Sequence, residues 1–434
     1  MRADWIECTL DNVCYKITDG SHNPPKKQSI GLPMLSARNI ENNKIVFDDY
    51  RFISESEFIQ EDKRTDVSVN DILLTIVATI GRSAIVKNIN TKFTLQRSVA
   101  VLGTKINPYY LNYQLQGPIL QSFFINNAKG TAQKGVYLKT LSTTPIILSP
   151  FPEQRAIVKK IEALFSSLDA GIADLKKAQD QLKIYRQAVL KKAFEGELTK
   201  EWRVYDVINK VPLKEILILS SLKHKAENPE DLFYIGLEHI EKDLGILTPN
   251  AGIDLISTVK NKFEENNILY GKLRPYLNKV YLSKESGVCS TDILVFKISE
   301  KVLGKFIHQF MLSREFVNDM SNNTSGVNLP RVSTKYIENY LVPLPSLDEQ
   351  AQIVKEIDSR LSVCDAVEQQ IKDSLSQAEA LRQSILKRAF EGKLLTEEEI
   401  KACQLEEDYE PAAVLLGKIK AEKEALKPVK KSKK

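Results

Sequence analysis

The stretch "RQAVLKKAFEGELT", Arg186–Thr199, returns as "RQSILKRAFEGKLL", Arg382–Leu395, 196 positions later. Upstream, "EQRAIVKKIEALFSSLDA" from Glu153 pairs with "EQAQIVKEIDSRLSVCDA" from Glu349 at the same offset, and no gap is needed through to Leu198 and Leu394. A loop tolerates insertions. A long packed helix does not, because one extra residue turns its apolar face by about 100°. The ungapped repeat therefore predicts one long helix in each copy.

The heptad pattern agrees. Ile161, Leu168, Leu175, Leu182 and Val189 recur every seven residues in the first copy, and Ile357, Cys364, Ile371, Ala378 and Ile385 in the second. A second seam holds Ile157, Leu164, Gly171, Ala178 and Tyr185, matched by Ile353, Arg360, Val367, Ser374 and Leu381. Sustained heptads predict a coiled coil, and two helices alike in length and pattern predict that they pair with each other. Burial in separate cores is the alternative. Helices of about 43 residues would span on the order of 65 Å. Pro150 and Pro152 stiffen the entry to the first, and Pro343 and Pro345 the entry to the second. "FEG" closes both, with Gly196 and Gly392 as C-terminal caps.

The regions before each helix correspond more weakly. "LPMLSARNI" stands where "FYIGLEHI" does, "NDILLTIVATIGR" where "NNILYGKLRPYLN" does, and "TAQKGVYLKTL" where "VNLPRVSTKYI" does. Both mix β-branched runs (Ile72 to Ile76, Ala84 to Val86, Asp292 to Phe296) with helical stretches, Tyr109 to Phe124 and Val302 to Met320. The expected class is α+β, twice over, with a pseudo-twofold repeat. The plan is a first domain over 1–150, a long helix over 151–198, a second domain over 199–345, a second long helix over 346–395, and a charged helix with a basic tail over 396–434.

Chain length, 434 residues, calls for more than one core. No apolar run approaches a membrane span, and the start "MRADWIECTLDN" has no apolar signal core. Cys8, Cys14, Cys289, Cys364 and Cys403 are scattered and read as free thiols of a reducing cytoplasm. The net charge of +5 is unevenly spread. Between Asp71 and Glu153 there is no acid, while Arg82, Lys87, Lys92, Arg97, Lys105, Lys129, Lys134 and Lys139 all fall there. Such a block points to a polyanion such as nucleic acid.

No catalytic constellation accompanies it. "NPPK" at Asn23–Lys26 resembles the base-stacking motif of amino-methyltransferases, but lysine replaces the aromatic and no glycine-rich cofactor loop is present. "EDK" at Glu61–Lys63, with Asp48 and Asp49 upstream, reads as a solvated face rather than a nuclease site. There is no Walker loop, and His22, His224, His239 and His308 lack metal spacing. His22 and His224 are placed to meet phosphate, whereas His308 reads as an ordinary helix residue.

The repeated plan, with "WIECTLDNVCYKITDGSHNPPK", "YIGLEHIE", "RVSTKYIENYLVPLPSLDEQ", both "LK(K/R)AFEG" helix ends and "LTKEW" at Leu198, resembles the specificity subunit of type I restriction-modification enzymes over essentially the whole chain. The resemblance implies two target recognition domains held by an antiparallel coiled coil that acts as a ruler. It implies a chain without catalysis or bound cofactor. Two modification subunits would methylate adenine with S-adenosylmethionine, and restriction subunits would translocate and cut double-stranded DNA with ATP and magnesium. A coiled-coil adaptor whose domains bind proteins is the rival reading, and salt-dependent DNA binding separates the two.

Residue chemistry selects the candidate DNA contacts: Lys26, Lys27, Arg38, Arg82, Lys92, Gln96, Arg97, Lys129, Gln133 and Lys134 in the first domain. Lys223, His224, Lys225, Lys272, Arg274, Tyr276, Asn278, Asn328 and Arg331 are the candidates in the second. Arginine and glutamine can read base edges in pairs of hydrogen bonds, and lysines hold phosphates.

Overall fold

A computed structural model describes residues 2–130, 133–202, 209–225 and 229–425. The predicted basic tail, 426–434, lies outside the described residues. The two repeated segments are single helices, Phe151–Phe194 and Leu347–Phe390. Each ends where the sequence placed its cap: Gly196 and Gly392 adopt φ of 80° and 77°, a conformation that costs glycine nothing.

The chain folds into two units, residues 1–173 with 374–434, and residues 174–373. Each long helix therefore gives one half to each unit. In the first unit, Ile157, Val158, Ile161 and Phe165 share a core with Ile385, Leu386, Ala389 and Phe390. In the second, Val189, Leu190 and Ala193 share a core with Ile353 and Ile357. Start meets end in both units, so the helices pair antiparallel. Arg382 binds Asp169 in the first unit, and Arg186 binds Asp365 (2.5 Å) and Glu368 (3.1 Å) in the second.

One seam of the predicted heptad is continuous: Ile357, Cys364, Ile371, Ala378 and Ile385 are all buried. Their counterparts Ile161 and Val189 are buried too, and Leu168, Leu175 and Leu182 are half-buried. The other seam departs from expectation. Only its ends, Ile157 and Ile353, are buried, while Leu164, Gly171, Tyr185, Arg360, Val367 and Leu381 are exposed. A two-helix contact covers only a narrow stripe unless a third element closes it. The domains supply that third element only at the helix ends.

Both domains repeat one topology. A four-stranded antiparallel sheet runs Cys14–Asp19, Val99–Thr104, Ile72–Thr75, Ser83–Ile85 in the first. It runs Leu217–Leu219, Ile293–Ile298, Asn267–Gly271, Val280–Leu282 in the second. A second sheet contains a parallel pair in each, Leu32–Leu35 beside Thr94–Leu95 and Glu230–Ile235 beside Gly287–Cys289. It has three strands in the first domain and five in the second. The predicted helical stretches are each broken in two: Pro108–Gln116 with Pro118–Asn127, and Gly304–Met311 with Arg314–Asn322. Pro118 lacks the N–H a continuing helix needs, and Gly117 and Ser313 are extended (ψ 151° and 146°).

Aromatic and amide contacts weld domain to helix identically in the two units. Tyr110 meets Phe390 edge-on at 5.3 Å, and Phe306 meets Phe194 at 5.4 Å, each residue displaced by 196 from its counterpart. Such pairs add about 0.5–1.5 kcal/mol beyond the area they bury. The first unit has a further layer. Trp5 donates to the buried Glu153 (2.8 Å), whose carboxyl burial holds above its ordinary range, and Arg2 lies 3.2 Å away. The C-terminal helices Glu397–Gln404 and Ala412–Ala425 dock beside them. Ala412, Leu415 and Ile419 enter the core, and Arg155 meets Glu406 and Asp408 at the surface.

Candidate nucleic-acid interface

Three loops meet at one end of each four-stranded sheet, and the same backbone bonds hold them in both domains. In the first, Ile76 donates to the carbonyl of Ser98 (2.9 Å) and accepts from Val136 (2.8 Å). In the second, Lys272 donates to Asp292 (3.1 Å) and accepts from Val332 (3.2 Å). Val77 bridges Gly135 as Leu273 bridges Arg331. The third loop is closed by an antiparallel bridge in each case, Lys129 with Gly135 and Ser325 with Arg331. Ala78 and Arg274, at equivalent places in the first loop, both take left-handed backbone angles, φ 67° and 51°. For a residue with a Cβ that conformation costs roughly 1–2 kcal/mol, so the loop scaffold imposes it.

These loops carry most of the residues selected from the sequence. In the first domain Arg38, Gln96, Arg97 and Gln133 line one groove of about 370 Å³ together with Ser21, Ser36, Ala78 and Thr79. Arg82, Lys129 and Lys134 are exposed on the same loops. None of Arg82, Arg97, Lys129 and Lys134 has an ion-pair partner among the described residues. Arg38 is paired with Asp49. Lys26 and Lys27 are exposed on the proline-stiffened loop, which Arg51 anchors through the Pro25 carbonyl. Lys92 is exposed on a separate turn, outside the groove. His22 already has a partner: its Nε2 lies 2.8 Å from Asp19, a buried carboxylate that also takes the Arg64 guanidinium.

In the second domain Lys272 and Arg274 lie on the first loop, and Asn328 and Arg331 on the third loop and its stem. Arg331 reaches both oxygens of Asp292, at 3.1 and 3.4 Å. Lys223, His224 and Lys225 occupy an edge strand and its end. Lys223 bonds Asn261, whose amide reaches the Ile293 carbonyl beside the middle loop (2.7 Å). His224 lies 3.3 Å from Glu230. Asn278 is a correction: it is 2 % exposed and donates to the Leu312 carbonyl at 3.2 Å, so it holds the loop rather than facing outward. Tyr276 is half-exposed but lines a groove with Lys183, Ile184 and Arg314, beside the long helix. His308 is lodged between the backbones of Gly245 and Val280, and burial pulls its pKa from 6.5 down to about 4.

Sequence reasoning missed the groove-lining hydroxyls Ser21, Ser36 and Thr79, which carry no charge signal. It also passed over Val327 and Leu329, though the bracket Gly326–Pro330 marks a built turn. Among the described residues, no group of histidine, cysteine, aspartate and glutamate could hold a metal, and no helix is long and apolar enough to cross a membrane.

Two copies of one α+β domain, each with three loops gathered at one end of its four-stranded sheet, define a tandem-domain protein. A sequence model described as the type I restriction modification DNA specificity domain matches residues 3–177 and 217–377, and the chain belongs to that family of type I specificity subunits. It is similar to the EcoDI specificity subunit of Escherichia coli, 30% identical over 370 residues (78% of this chain, 82% of the relative). The EcoKI specificity subunit of Escherichia coli K12 is 25% identical over 97% of this chain and 96% of its own. The fold matches the crystal structure of the HsdS subunit from Thermoanaerobacter tengcongensis, with a TM-score of 0.53 at 18% identity, covering 91% of this chain and 98% of that one. A chain solved in work on assembly and conformational transition of a type I R-M system aligns with a TM-score of 0.68 at 18% identity, over 91% and 99%.

Proposed function

We propose that this chain reads a bipartite double-stranded DNA site, one half with each domain's three-loop surface, on behalf of partner subunits that do the chemistry. One observation supports the reading above the rest: the loop backbones are equivalent while the side chains on them differ. Gln96, Arg97 and Ser98 stand where Ser290, Thr291 and Asp292 do, and Gln133 and Lys134 where Leu329 and Pro330 do. A scaffold kept constant beneath changed side chains suits two readers of different half-sites.

The partners are two modification subunits, which methylate adenine with S-adenosylmethionine, and restriction subunits that use ATP and magnesium, in the cytoplasm. The chain itself binds none of these cofactors and is not an enzyme. Its part is to place bases and phosphates by hydrogen bonds and charge.

The test is a map of methylated adenines in cells carrying the modification subunits and this chain, with its first-domain loops intact or exchanged for those of a related subunit. One half-site should change and the other persist. Change in both halves at once, or a map independent of the chain, overturns the reading. The adaptor alternative predicts no preferred sequence and no salt-dependent binding of DNA.

A further inference from the structure

The third loop of the second domain is built around an apolar tip. Its stem is the strand pair Thr324–Ser325 with Arg331–Val332, locked by the Arg331–Asp292 ion pair. Gly326 turns the chain at φ 94°, and the Pro330 carbonyl accepts from the N–H of Arg274 at 2.7 Å. Between them Val327 is 99 % exposed and Leu329 46 %, on either side of exposed Asn328. Scattered single apolar residues on a surface need no explanation. Here, however, the tip is braced from its stem and from the neighbouring loop, which carries the exposed Arg274. In the first domain Gln133 and Lys134 stand at the places of Leu329 and Pro330.

We infer that this tip enters the major groove and reads thymine, Val327 packing on the C5-methyl group while Asn328 is presented to the adjoining base edge. The inference rests on the recognition reading above and adds which base the second domain demands. The charge around the tip selects its occupant. Exposed Arg274 suits a flanking phosphate, while Arg331 is engaged by Asp292, and the thymine methyl is the one apolar group that the major-groove edges of the four bases present. A valine offered to water by a rigid hairpin gains by covering that methyl and has nothing to gain from phosphate.

Deoxyuridine removes that methyl and nothing else. The methylation map fixes the site, and exchange of the 326–330 loop identifies the half that the second domain reads. Duplexes bearing deoxyuridine at each thymine of that half are then titrated with the complex of this chain and its modification subunits. At one thymine the substitution should weaken binding about fourfold, the equivalent of about 0.8 kcal/mol for one buried carbon. In Val327→Ala, a change at an exposed position that leaves both cores intact, the penalty should shrink toward none. Three results overturn the inference: a half-site without any A·T pair, deoxyuridine that is neutral throughout it, or an equal penalty in wild type and Val327→Ala. Impaired assembly of Val327→Ala with the modification subunits in the absence of DNA also overturns it, by showing a protein-facing tip. Loss of all sequence preference in the unmodified comparison would instead sink the recognition reading itself, and this inference with it.

Discussion

Gln154 accepts the backbone N–H of Asn107 on its side-chain oxygen at 3.0 Å, and 196 residues on Gln350 does the same for Leu303 at 2.8 Å. Each amide nitrogen reaches the carbonyl just before its own helix, Ser149 at 2.7 Å and Pro345 at 2.9 Å. Both glutamines are fully buried. They fix where the helix leaves the domain.

Truncation of either side chain leaves a buried N–H and a buried carbonyl without a partner. Gln154→Ala should destabilise the first unit by about 1–3 kcal/mol, and Gln350→Ala the second by a similar amount. The two effects should add, because the sites share no partner. Urea unfolding with hydrogen exchange resolved by unit checks both the size and the place.

Phe390→Ala should loosen the first unit by about 3–5 kcal/mol, and Phe194→Ala the second by less, because Phe390 is buried in its core while Phe194 is half-buried against its own. In either case the affected unit is not the one that holds the domain preceding the mutated helix end. Limited proteolysis of the two variants reads this directly.

The left-handed residues predict a gain. Ala78→Gly should raise the stability of the first unit by about 0.5–1 kcal/mol, the relief of steric strain exceeding the added freedom of the unfolded chain. Arg274→Gly should also stabilise its unit while weakening DNA binding, because the guanidinium is lost. Thermal unfolding and a binding titration on the same preparations separate the two effects.

If Arg97 or Arg82 reads guanine, its change to alanine should relax preference at one base of one half-site and cost about 1–3 kcal/mol. If Lys129 and Lys134 hold phosphates, Lys129→Ala or Lys134→Ala should weaken all sequences alike and lower the salt slope by about one. Titrations on matched and mismatched duplexes at two salt concentrations distinguish base readers from phosphate holders.

For His308 the folded-state pKa of about 4 lies below the ordinary 6.5. Below pH 6.5 the unfolded chain binds a proton that the folded one refuses. Stability of the second unit should therefore fall from about pH 6.5 to 4 and level off below. His308→Gln should flatten that stretch of the stability–pH curve.

The repeat was legible because its signal is a phase. An unbroken 196-residue offset fixed both helices, their caps at Gly196 and Gly392, and the buried seam through Ile161, Cys364 and Ile371. Loop chemistry was partly legible, since charge marks Arg97 and Lys134 wherever they fold. Other features depend on distant neighbours. Asn278 reads as a polar loop residue until helices 304–311 and 314–322 bury it, and the open second seam follows from the absence of a third helix. The docking of Leu415 and Ile419 beside Trp5 joins opposite ends of the sequence, which no local pattern announces.

The division of each long helix between two units sets an order of events during synthesis. Residues 174–373 form a contiguous unit, complete once its own stretch has emerged from the ribosome. The first unit cannot close until the chain has been made through Ile419, because Ile385, Ala389, Phe390, Leu415 and Ile419 are part of its core. The domain translated first is thus finished last, the reverse of the usual N-terminal-first sequence. Until then Ile157, Ile161 and Phe165 have only the first domain's side of their core, Tyr113 against Phe165 included, and the face that Ile385, Ala389 and Phe390 will cover stays open on the nascent chain. A premature stop near the end would strand the domain farthest from it in sequence.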